Sequence, residues 1–295
     1  MPNCAQNQAL AAIFGSPHDN PPRWVVMFTA YLDECGQERR GIVRVGGFIG
    51  RDTEWGRFAA EWPKGFEGSQ RKSLHMANLK FKHETEKSLL AKLGPIPESC
   101  GLRRIVGSVD VSDYHDLVEG TMGEVHAQGY AVAMWPLIEA IKDVIPSSES
   151  YKLVFEEQQA LGFYRNKWLE FIAYVQSHPP VGKRLVKRPK LIGWETIVKG
   201  ESFLCEAADY LCYHLAHKAD DPNSLRTLWT APIMGDGGSI WKRHLSRERI
   251  RGYFNELPKL GKESPVGLAR WKKELRTGGV DPWLKVLEND PLGRE

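Results

Sequence analysis

Cysteine is scarce in this chain and shows no pairing pattern: Cys4, Cys35, Cys100, Cys205 and Cys212 are scattered, with no Cys-x-x-Cys spacing. That argues against both a disulfide framework and a zinc site. No apolar run reaches the length of a membrane span, and Met1 to Gly15 lacks the basic start and long apolar core of a signal peptide. The reading is a cytoplasmic protein with no membrane partner. Internal repeats and low-complexity segments are also missing. Neither sign of charge dominates, since the net charge is +3, which permits a polyanionic partner without demanding one.

What is present is an ordinary globular composition. The 295 residues are 42% hydrophobic and 10% aromatic, enough for a sizeable core and too apolar for general disorder. The most informative stretch is Val25 to Asp33, a β-prone and nearly all-apolar run that meets the acid pair Asp33-Glu34 and then Cys35-Gly36. Such a run reads as a central strand buried on both faces, and two adjacent acids at its tip suggest that the tip opens into a site. A solvated turn explains the same pair equally well when it stands alone.

Hydrophobic periodicity places the other elements. Gly41 to Gly50 forms a hairpin partner for the first strand, and Thr53 to Phe66 a helix with Trp55, Phe58, Ala59 and Trp62 at helical spacing. Arg103 to Val111 reads as a third strand, His126 to Ile145 as a long helix, and Tyr151 to Phe155 as a fourth strand running into Glu156-Glu157. Phe163 to Val175 reads as a helix, Leu191 to Trp194 as a short strand, and Phe203 to Ala216 as a helix. This order fits an α/β domain with a mixed sheet flanked by helices. The expected organisation is an N-terminal segment over residues 1–22, a core over 23–217 and an aromatic and basic extension over 218–295 packed on the core.

Two strands with acidic tips are harder to dismiss than one. If the two are parallel neighbours, Asp33 and the pair Glu156-Glu157 share one sheet edge, where α/β proteins commonly place their sites. Strand register decides which of Glu156 and Glu157 faces inward. On the late helix, Asp209 borders the stripe of Leu204, Ala207, Ala208, Leu211 and Leu215, while Glu206 is expected to point further toward solvent. Asp110, flanked by Val109 and Val111, is a weaker candidate expected to face solvent. Clustered carboxylates repel one another and are tolerated mainly when divalent cations neutralise them, and their hard oxygens favour Mg²⁺ or Mn²⁺. Two such ions can activate water and stabilise the leaving oxygen in phosphodiester cleavage.

Three segments carry a resemblance. Tyr31-Leu32-Asp33-Glu34-Cys35-Gly36, Leu74-His75-Met76-Ala77-Asn78-Leu79 and Cys205-Glu206-Ala207-Ala208-Asp209-Tyr210-Leu211 resemble, in order, the D-E-S-G-type opening, the histidine segment and the late A-D helix of the DUF3800 family. Cys35 stands where the family usually has Ser, and Glu206 where it usually has Gln. The resemblance implies an RNase H-like fold with Asp33, an acid after the fourth strand and Asp209 as ligands of Mg²⁺ or Mn²⁺. Glu157 is the first choice for the middle position, with Glu156 close behind. It also gives His75 a role in orienting a phosphate or moving a proton.

The leading expectation is therefore a metal-dependent nuclease. Its catalytic residues would be Asp33, Glu157, Asp209 and His75, and the basic cluster Lys183, Arg184, Lys187 and Arg188 would grip the nucleic-acid backbone. A second basic cluster runs from Trp241 to His244 and on through Arg247, Arg249 and Arg251. Clusters of this kind are usually solvated faces. Two other classes remain: an inactive RNase H-like module that binds nucleic acid or a protein partner in a bacterial defence or toxin system, and a carboxylate-pair hydrolase acting on sugars. DNA and RNA are equally compatible with the sequence, as is a homo-oligomer.

Overall fold

The computed structural model describes residues 27–37, 41–115, 125–156, 169, 189–198, 200, 202–235 and 239–249. The apolar run forms β1 (Met27–Gln37), which turns back into β2 (Ile42–Arg51), and the chain continues through helix α1 (Asp52–Glu61). Helices α2 (Glu84–Leu93) and α3 (Ile96–Ser99) precede β3 (Arg103–Asp110). Helices α4 (Val111–His115) and α5 (Val125–Val144) lead to β4 (Ser150–Glu156) and then β5 (Lys190–Ile197). Last come α6 (Glu206–Asp220), α7 (Leu225–Thr230) and β6 (Ile240–Leu245).

The six strands form one mixed sheet in the order β5-β4-β1-β2-β3-β6. β1 and β2 are antiparallel, as are β2 and β3, while β4 runs parallel to both β1 and β5, and β6 parallel to β3. The α/β reading with a mixed sheet and flanking helices is thus what the chain forms, and β1 is central as its apolar sequence requires. Two features differ from expectation. The extension beyond residue 218 supplies a sixth strand to the sheet instead of only packing on it. Also, β1 does not stop at Asp33: it runs on to Gln37 against β2, while its pairing with β4 ends at Leu32 and Phe155. Among the described residues the overhanging part of β1 pairs with β2 and extends past the end of its pairing with β4.

Opposite faces carry different helices. α5 packs against β2, β3 and β6, and α6 against β1 and β2. Gly107 makes the first packing possible, because a Cβ there would collide with the Ala133 carbonyl and the Leu137 nitrogen. Gly46 faces α6, where a Cβ would reach ordinary contact with Cys212 Sγ at 3.5 Å and crowd Val106 Cγ2 on β3 at 3.1 Å. On the α6 face Phe48, Trp55, Phe58, Trp62, Leu90, Tyr210 and Leu211 form one buried cluster. Within it Trp55, Phe58 and Trp62 pack ring on ring at 5.4 and 4.9 Å, so the aromatic spacing read from the sequence is a core stripe. The second basic cluster is committed to the far edge: Arg243 pairs with Asp143 at 2.6 Å, and His244 Nε2 lies 3.1 Å from Asp110. Asp110 ends β3 in that pair, two strands from β1, roughly 10 Å at sheet spacing.

Candidate acidic site

Register brings the strand acids together. Leu32 and Phe155 are the last pair between β1 and β4, so Asp33 and Glu156 come next on adjacent parallel strands. Cross-strand partners share a face. Asp33 also pairs with Gly46, the residue under α6, so its side chain lies on the α6 face. Glu34, one residue on, turns to the α5 face, where it adds its charge to the surroundings of the buried Tyr130 hydroxyl. Glu157 and the basic residues Lys183, Arg184, Lys187 and Arg188 lie outside the described residues.

Helix α6 contributes the other acids. Cys212, beneath it, donates to the Asp33 carbonyl at 3.3 Å and to the Gly46 carbonyl at 3.5 Å, which pins the helix over the β1–β2 pair. One turn earlier Asp209 faces the segment before α2. Its Oδ2 accepts the Met76 N–H at 2.8 Å and a bond from His75 Nδ1 at 3.1 Å. The histidine segment and the Asp209 helix, both singled out in the sequence, are thus in direct contact. His75 remains 36% exposed and Asp209 21%, so the pair borders solvent.

Glu206 is a correction. It does not reach out to solvent: its Oε2 accepts the Trp62 indole N–H at 2.8 Å, and the Leu74 N–H supplies a further bond. Spacing on the helix missed this because Trp62 and Leu74 approach from other parts of the chain. The available signal was the Trp62 indole, an apolar core group that needs an acceptor.

The electrostatics of the edge follow from crowding. Burial holds the Asp33 carboxyl well above the usual carboxylate range, the charges of Glu34, Asp209 and Glu156 push it further, and a bond from the Glu34 N–H opposes them. Burial raises Glu206 to about 7, against the Trp62 and Leu74 bonds and with help from Asp209 and Glu156. The same acids and its own burial push up the Cys205 thiol. Cys212 is raised by a bond with Cys35 and by burial. These thiols are buried and protonated, without the character of nucleophiles.

Asp33, Glu156, Glu206 and Asp209 therefore offer oxygen donors at one sheet edge, the chemistry a hard cation prefers. Among the described residues no three Asp, Glu, His or Cys side chains converge into a ready cage. No helix among them is long and apolar enough to cross a membrane. No protein-family model, curated protein or solved structure matches this chain.

Proposed function

We propose that the chain is a metal-dependent nuclease of the RNase H-like kind suggested by its resemblance to DUF3800. One observation carries the reading: β1, β4 and α6 bring Asp33, Glu156, Glu206 and Asp209 to one edge of a mixed sheet, where burial and neighbouring acids raise the Asp33 and Glu206 carboxyls. The strand order supports it, since an antiparallel β1-β2-β3 meander extended by parallel β4 and β5 is the arrangement that the RNase H-like expectation calls for.

Asp33, Glu156, Glu206 and Asp209 would hold Mg²⁺ or Mn²⁺, which when bound supplies the charge that lowers the pKa of a water and stabilises a leaving oxygen. The remaining steps belong to the protein. Asp209, accepting from His75 Nδ1, fixes that imidazole in the tautomer whose Nε2 can take up a proton. Because Met76 N–H also grips Asp209, the imidazole and the acid are held as a unit and need little rearrangement as substrate arrives. The phosphodiester backbone is the natural substrate, since a cation-loaded acidic edge attracts phosphate and repels it when empty.

One observation favours the inactive binding module instead. Asp209 Oδ2 is already occupied by two donors, which is how a structural carboxylate behaves. Incubating the protein with single-stranded and duplex DNA and RNA, with Mg²⁺, Mn²⁺ or EDTA, separates the two. The nuclease reading expects cation-dependent cleavage that Asp33→Asn and Asp209→Asn abolish while binding persists or tightens. Cleavage equal in those variants and the parent would trace it to a contaminant and leave the binding module standing.

A further inference from the structure

From Asp209 a band of aromatic rings and cations leads away across the α6, α2 and α7 surface. Tyr213 lies one turn beyond Asp209 on α6, close enough for the Asp209 charge to bear on its hydroxyl. Its ring stacks on Phe81 at 5.4 Å with 9° between planes, and Phe81 in turn meets Trp229 at 6.2 Å. On the other side Tyr213 meets His217 at 4.3 Å. The Arg226 guanidinium stands 5.9 Å over Phe81, and Lys87 Nζ stands 6.0 Å over Trp229. Phe81 is buried, whereas Tyr213 and Trp229 are half-buried, and Arg226, Lys80, Lys82 and Lys87 are exposed. Glu84, 3.3 Å from Lys87, is the acid beside them.

The backbone is distorted to make this band. Phe81 has φ of 55°, a left-handed conformation that is unfavourable for a non-glycine residue. Glu86 maintains it by accepting the N–H groups on either side, from Lys80 at 3.2 Å and Lys82 at 3.3 Å. Strain of this sort persists where the surroundings over-determine it, often at a ligand site.

We propose that this band docks a single nucleic-acid strand and delivers it to the acidic edge, which rests on the nuclease reading above and adds the substrate class. The chemistry distinguishes strand from duplex. The exposed parts of Tyr213 and Trp229 give unstacked bases an aromatic surface to pack on, which a duplex keeps from its bases, and the surrounding Lys and Arg side chains complement the phosphates. A protein partner drawn to Leu225 and Leu228, 59% and 55% exposed on α7, is the competing occupant. It leaves the cations over the rings without a role.

Fluorescence anisotropy with labelled oligothymidylate of roughly 16 nucleotides and the matching duplex, in EDTA so that nothing is cut, tests the assignment. The parent should bind the single strand at least about tenfold tighter than the duplex. Trp229→Leu should weaken single-strand binding by about tenfold and leave duplex binding unchanged. Arg226→Ala, at an exposed position, should lower the slope of log affinity against log salt by about 0.7. Duplex bound as tightly as single strand, or both variants binding like the parent, would overturn the proposal and leave the face to a protein. A parent that binds neither would overturn the band, and cleavage in Mg²⁺ or Mn²⁺ would then decide the nuclease reading by itself. Single-strand binding through Trp229 without cleavage in Mg²⁺ or Mn²⁺ would uphold the band and remove only the nuclease.

Discussion

Two glutamates grip the same loop from opposite ends and end up with opposite electrostatics. Glu86, on α2, accepts the N–H groups of Lys80 and Lys82, and Glu206, on α6, accepts that of Leu74. Desolvation raises Glu86, yet the bonds from Lys80, Lys82 and Phe81 and the Arg71 guanidinium outweigh it and hold the carboxyl below its ordinary value. Burial raises Glu206 to about 7, with the Trp62 and Leu74 bonds opposing it and the charges of Asp209 and Glu156 adding to it. The two sites thus differ in what faces a buried acid: backbone donors and a cation at Glu86, further acids at Glu206. Neighbouring acids on a partly buried edge are the setting in which a divalent cation binds.

The comparison breaks most visibly if Glu86 is removed. Glu86→Ala strands the Arg71 charge and several N–H groups, and releases the strained Phe81. An unfolding midpoint in urea should fall by about 3 kcal/mol of stability. Single-strand affinity should fall with it, because the aromatic band loses its support. A loss below 1 kcal/mol would make Glu86 a surface acid and cancel the contrast.

Next in size is the pH dependence of Glu206. Its carboxyl ordinarily titrates near 4.5 and in the fold near 7. Between those values the folded chain keeps a proton that the unfolded chain has released, so stability falls as pH rises across that window. Thermal melts of parent and Glu206→Gln should therefore converge near pH 4.5 and differ above 7, the variant being the more stable by on the order of 1 kcal/mol after solvent screening. Glu86 has the opposite sign, since its depressed pKa gives stability that is complete above about pH 4.5 and lost as pH falls below it. Melts in which Glu206→Gln shows the parent's pH profile would place the edge in ordinary solvent.

The smallest effect belongs to Arg71, whose guanidinium is 35% exposed and lies 3.4 Å from Glu86 and 3.2 Å from the Asn78 carbonyl. Arg71→Ala should cost about 0.5 kcal/mol, screened by salt, because the N–H bonds do most of the holding. A cost several times larger would make the cation, and not the backbone, the source of Glu86's stability.

Much of this was legible in advance. The β1 run, the hairpin and the acid at the end of β4 follow from apolar runs and where they break, and the parallel neighbourhood of β1 and β4 was the condition on which the site depended. What escaped was set by distant contacts. Nothing local shows that β1 runs on to Gln37, because its last residues are held by pairing with β2. Glu206 was misplaced because helical spacing sees only its own helix, while Trp62 and Leu74 set its environment. β6 was hidden in a basic run, Trp241-Lys242-Arg243-His244, which has no apolar alternation to mark a strand and is held by its pairing with β3. The Lys80–Lys82 turn, with Phe81 left-handed, carries no glycine to announce it.

Calorimetric titration of Mn²⁺ into the parent and into Asp33→Asn puts the central claim to its most direct test. A cation site among the acids of the β1–β4–α6 edge predicts that the parent binds Mn²⁺, and that Asp33→Asn loses binding while melting at the parent's temperature or above, since it relieves the crowding that raises Asp33. Mn²⁺ affinity undiminished in Asp33→Asn, or a variant that fails to fold because Asp33 was part of the core, would contradict it.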